Sequence, residues 1–103
     1  MTDPLIPGLP EPYNQQIMDL LRAYSQGSEM ILFGSRAKGN HREGSDIDIA
    51  VKGEKFSPEN RDELLSKYDG LFLPWKLDLL IYRLIEEPAL KAHIDRVGLR
   101  LIG

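Results

Sequence analysis

A chain of 103 residues, 42% apolar and 28% charged, has material for one domain with a modest core and none to spare for a second. The absence of cysteine excludes disulfides, thiolate metal sites and a cysteine nucleophile, and it fits a reducing cytoplasm. A net charge of −3 argues against direct nucleic-acid binding, no apolar run is long enough to span a membrane, and the Pro-rich, acidic beginning does not read as a signal peptide.

Residues 1–12 place Pro4, Pro7, Pro10 and Pro12 around Leu5, Ile6 and Leu9, and read as an extended arm ahead of a single domain over 13–103. Tyr13, Ile17, Leu20, Leu21 and Tyr24 recur at helical spacing, so a helix is predicted over 13–26, with Gly27 as its stop. Glu29 to Phe33 is a strand whose Met-Ile-Leu-Phe run predicts burial on both faces. It runs into Gly34-Ser35, a pair small enough for backbone N–H groups to approach an anion closely, and then into a short helix over 35–38. Arg36, Lys38 and Arg42 follow as candidate contacts for a triphosphate, a solvated loop being the equal reading for Arg42.

A second strand starts at Asp46-Ile47-Asp48. Side chains alternate along a strand, so Asp46 and Asp48 share one face while Ile47, Ile49 and Val51 share the other. Two like charges on one face repel unless a cation lies between them. Mg²⁺ prefers one or two carboxylates together with waters and substrate phosphates, which suits this pair opposite a phosphate-binding turn. The competing reading is a solvated edge strand with both acids in water.

Ser57-Pro58 is an N-cap and first-turn pair for a helix running to about Tyr68. Leu71 to Trp75 is an apolar connector, in which Trp75 reads as a packing residue before a base-stacking one. The third strand, Lys76 to Tyr82, carries a single acid, Asp78, which needs a partner or a metal if buried and only water if the strand is an edge. Pro88 opens a last helix striped by Leu90, Ile94 and Val97, and after Gly98 the segment 99–102 is a candidate strand. His93 has no acidic or cysteine partner at metal spacing and reads as an ordinary surface or core-edge residue, and His41 is the one other histidine. The order of elements predicts an α+β fold, a small mixed β-sheet with helices packed on it in two layers.

Gly34-Ser35, ten intervening residues and Asp46-x-Asp48 resemble the signature of the DNA polymerase β-like nucleotidyltransferase superfamily. Gly-Ser-Arg-Ala-Lys-Gly and Ser-Asp-Ile-Asp-Ile-Ala-Val further resemble its minimal nucleotidyltransferase (MNT) branch. The resemblance implies a polymerase β-like palm fold. It implies Asp46, Asp48 and Asp78 as catalytic acids and ligands of two Mg²⁺ ions, and Gly34, Ser35, Arg36, Lys38 and Ser45 as nucleotide-binding residues. Members of the branch are frequently the antitoxin of a HEPN-domain ribonuclease toxin, and some transfer AMP from ATP to a toxin tyrosine, so a HEPN-domain partner and a homo- or hetero-oligomer are expected here. The implied alternatives are an antitoxin acting by occlusion alone, and an ATP-sensing module.

Overall fold

The computed structural model describes residues 5–103. Its elements are α1 (Tyr13–Ala23), β1 (Glu29–Phe33), α2 (Gly34–Lys38), β2 (Ile47–Lys52), α3 (Pro58–Asp69), β3 (Leu77–Ile81), α4 (Pro88–Val97) and β4 (Leu99–Ile102), with a 3₁₀ turn over Tyr82–Leu84. The four strands form one mixed sheet in the order β3-β2-β1-β4. β1 pairs antiparallel with both β2 and β4, whereas β2 and β3 are parallel and joined through α3.

Met30 to Phe33 are buried on both faces, as their unbroken apolar run requires of the sheet's centre. On one face Ile17, Met18 and Leu21 of α1 and Leu64 and Tyr68 of α3 close over Met30, Leu32, Ile47, Ile49, Leu77 and Leu79. On the other face Ile94 of α4 packs with Ile31, Phe33 and Ala50. The architecture therefore has three layers where two were predicted, because a central strand apolar on both sides needs cover on both. The α+β class with a small mixed sheet is as predicted.

The Pro-rich segment, read as an extended arm, folds back onto the domain. Ile6 and Leu9 belong to the main core. The Asn14 side chain accepts from the Ile6 amide at 3.1 Å and donates to the carbonyls of Ile6 (2.8 Å) and Leu9 (3.0 Å), which satisfies backbone groups that a proline-interrupted segment cannot pair with itself. The part of the arm over 1–4 lies outside the described residues. Helix α1 stops at Ala23, three residues short of the expected end. The Ser25 amide and hydroxyl both go to the Arg22 carbonyl, and Gln26 and Gly27 take left-handed φ values of 55° and 72°.

Helix α3 starts where Ser57-Pro58 predicts, with a reciprocal capping box between Ser57 and Asn60. The tail over 99–102 does add a strand, on the open edge of β1. Trp75 is half-buried against the core, its ring 5.9 Å from that of Tyr13 and its indole N–H on the Glu43 carbonyl at 3.3 Å.

Candidate active site

Antiparallel pairing of β1 with β2 brings the end of β1 beside the start of β2, and parallel pairing puts the start of β3 at the same end of the sheet. Phe33 lies across from Asp48, and Asp48 across from Asp78. The inward positions Ile47, Ile49, Leu77 and Leu79 are buried under α1 and α3, so Asp48 and Asp78 emerge on the face that α4 covers. Asp46 is exposed just ahead of β2, while Asp48 and Asp78 are half-buried. The three sequence-predicted acids are thus gathered at one end of adjoining strands.

Gly34 follows Phe33 directly and holds a φ of +75°, a backbone state in which an L side chain is strained. A Cβ placed there would run into a carboxylate oxygen of Asp48, with the carboxylate carbon 3.2 Å away. The turn read from sequence as a place where an anion comes close is also the place where an acid comes close. Ser35 lies half-buried in the first turn of α2, and Lys38 stands exposed at its end with no charged partner among the described residues.

Burial, then the charges of Asp78 and Asp46, push the Asp48 carboxyl above its ordinary pKa, and Lys76 and Arg36 act against that rise. Such a rise is what burial beside like charges produces when the cations nearby offset only part of it. The donor set, carboxylate oxygens alone, fits a hard divalent cation. Among the described residues no three His, Cys, Asp or Glu side chains form a ready-made metal cage. An ion held by Asp46, Asp48 and Asp78 therefore needs phosphate or water oxygens to complete its shell, which is the usual habit of Mg²⁺ in phosphoryl-transfer sites.

Two expected nucleotide contacts, Arg36 and Ser45, make bonds within the chain. Arg36 is 1% exposed, and its guanidinium donates to the Ser45 carbonyl from Nε (3.2 Å) and Nη2 (2.8 Å) and to the Pro7 carbonyl from Nη1 (2.9 Å). It faces the interior of the loop rather than a triphosphate; burial lowers its pKa, opposed in turn by Tyr68, Asp46 and Asp48. The Ser45 hydroxyl accepts from the Arg42 amide at 2.8 Å and ties the loop together. Sequence reasoning passed over Lys76, whose charge acts on Asp48; its place two residues before Asp78, at the start of a paired strand, was the available signal.

The model of the nucleotidyltransferase domain family matches residues 15–97, which include the Gly-Ser turn and all three acids. The chain belongs to the nucleotidyltransferase domain family. Solved relatives of this chain include a chain of a toxin–antitoxin complex with AMP-PNP, 30% identical with a TM-score of 0.69, covering 86% of this chain and 72% of that one. Another belongs to a complex of tri-AMPylated Shewanella oneidensis HEPN toxin with its MNT antitoxin, 27% identical with a TM-score of 0.62, covering 86% of this chain and 68% of that one. Among curated sequences, the Haemophilus influenzae protein named probable protein adenylyltransferase MntA is 41% identical over 49 residues, which are 47% of this chain and 43% of that protein. The nucleotidyltransferase match thus spans less than half of that relative. Among the described residues no helix is long and apolar enough to cross a membrane.

Proposed function

We propose that this nucleotidyltransferase transfers AMP from ATP, with Mg²⁺, to a hydroxyl of a partner protein, and that the partner is a HEPN-domain toxin modified on tyrosine. The observation that carries the reading is the convergence of Gly34 on Asp48, with Asp46 and Asp78 beside it. An occluding surface has no need of grouped acids that repel one another. The relatives solved with AMP-PNP and with an AMPylated HEPN toxin support the choice of nucleotide and of acceptor.

In this reading the backbone N–H groups at Gly34-Ser35 and the Lys38 ammonium hold the pyrophosphate portion of ATP. Asp46, Asp48 and Asp78 hold the divalent cation, which when bound offsets their charge and that of the phosphates. The acceptor oxygen attacks the α-phosphorus in line, and the bond to the pyrophosphate oxygen breaks. Asp78, half-buried on the outermost strand, takes the hydroxyl proton. Docking of a rigid partner supplies the alignment that in-line attack needs.

Intact mass of the partner after co-expression tests the reading. With the wild-type chain the partner gains one or more AMP units, and with Asp46→Asn it gains none. An unmodified partner that is nevertheless fully neutralised by Asp46→Asn would replace transfer with occlusion.

A further inference from the structure

The three Arg36 bonds join segments that are far apart in sequence. Its guanidinium holds the Ser45 carbonyl from two nitrogens, immediately ahead of Asp46, and the Pro7 carbonyl, 29 residues upstream of Arg36, from a third. Pro7 belongs to a segment anchored independently of the loop, by Ile6 and Leu9 in the core and by the three Asn14 bonds. Gly8 packs so closely that a Cβ there would collide with the His41 ring and lie 2.9 Å from Arg36 Nη1. The segment lies ahead of residue 15, where the match to the family model begins.

We infer that Arg36 is a positioning residue that braces the loop carrying Asp46 against the N-terminal segment, so that residues 5–9 set the placement of the site's acids from behind. The segment between Gly39 and Ser45 has no helix or strand and is held by turn bonds, the Asn40 amide on the Ser35 carbonyl at 3.1 Å and the Ser45 amide on the Arg42 carbonyl at 3.0 Å, and by the Trp75 indole on Glu43; Arg36 adds the tie that runs from its end to the N-terminal segment. A planar fork gripping one carbonyl from two nitrogens fixes both distance and direction. Lysine keeps the charge but offers one nitrogen in place of three, so it cannot reproduce the bonds that Nε, Nη1 and Nη2 make to Ser45 and Pro7.

The tests are Arg36→Lys, Asn14→Ala and, as a control for general destabilisation, Leu64→Ala, whose side chain lies in the core under α3. Hydrogen exchange reads the brace without any assay of transfer. In Arg36→Lys the amides of Ile6, Gly8 and Leu9 and those of Ser45 to Asp48 are expected to exchange faster together, while those of Met30 to Leu32 hold. In Asn14→Ala, which touches neither the loop nor the acids, loosening of residues 6–9 is expected to spread to residues 45–48. Acceleration confined to residues 6–9 in that variant, or a uniform rise throughout the chain in both, overturns the brace.

The activity arm rests on the transfer reading. Misplacement of reacting groups by about 1 Å costs up to ~100-fold, so Arg36→Lys is expected to lower kcat about tenfold or more, with a smaller change in the KM for ATP. Leu64→Ala is expected to lower the melting temperature with little loss of kcat. A wild-type chain that transfers nothing defeats the transfer reading and leaves the exchange result standing. A wild-type chain that transfers, together with an Arg36→Lys kcat reduced no more than that of Leu64→Ala, defeats the brace.

Discussion

At Gly34, sterics and chemistry make the same demand. Gly34→Ala forces an L side chain to a φ of +75°, which costs about 1 kcal/mol, and drives its Cβ into the Asp48 carboxylate. The stability read from thermal melts is expected to fall by at least that amount, and the proposed AMP transfer to be lost because Asp48 is displaced. Asp48 itself behaves in the opposite way. Its folded pKa is raised by burial and by Asp78 and Asp46, so its carboxyl binds a proton more tightly folded than unfolded. Its contribution to stability is present at low pH and is lost as pH rises through the raised value. Without metal, Asp48→Asn is therefore expected to melt higher than wild type at neutral pH, with the difference shrinking on acidification; a lower melting temperature at neutral pH would make Asp48 a structural support. At this scale the motif residues were legible because their types and spacing carry the chemistry. Arg36 was misread, since a basic residue in a polar loop gives no sign of burial and both of its partners are backbone carbonyls.

Among the elements, α3 shows how much a short sequence signal can determine. Ser57 accepts from the Asn60 amide at 3.1 Å, while the Asn60 side chain receives the Ser57 amide at 3.0 Å. Ser57→Ala removes one half of this exchange, at a cost of about 1 kcal/mol, and is expected to lower the melting temperature by roughly 4–8 °C. Transfer at a temperature well below the transition should be unchanged, because α3 covers the face of the sheet opposite Asp48 and Asp78. Strand β3 was legible as an alternation of Leu77, Leu79 and Ile81 with Asp78, Leu80 and Tyr82. Its position at the edge of the sheet was left as the alternative, because strand order depends on pairing partners; β3 is an edge strand, yet Asp78 is half-buried and the Arg61 guanidinium caps the Leu79 carbonyl at 2.7 Å. Tyr82 was read as the last residue of this strand, since an aromatic side chain keeps the character of a strand residue, but it instead opens the 3₁₀ turn over Tyr82–Leu84.

Across the whole molecule, the missed features are those that join remote segments: the third layer made by α4, and the return of Ile6 and Leu9 into the core. Periodicity marks which residues are apolar but not which sheet face receives them. A tie between α3 and the connector that follows it has a pH signature. The Tyr68 hydroxyl, at the end of α3, donates to the Trp75 carbonyl at 2.6 Å in the connector leading to β3. Burial pushes its pKa up to about 12, with Asp69 adding to the rise and Arg36 opposing it. The folded pKa exceeds the unfolded one, so this stabilisation is complete below about pH 10, the ordinary tyrosine value, and is lost as the unfolded chain ionises between there and about 12. Wild-type melting temperatures are expected to fall across that window. Tyr68→Phe should start lower at pH 8, by the ~1 kcal/mol of a hydrogen bond that also leaves the Trp75 carbonyl unpaired, and then fall less steeply. Equal slopes for the two proteins between pH 10 and 12 would mean that Tyr68 ionises as readily folded as unfolded, and that its bond to Trp75 does not hold α3 to the connector in solution.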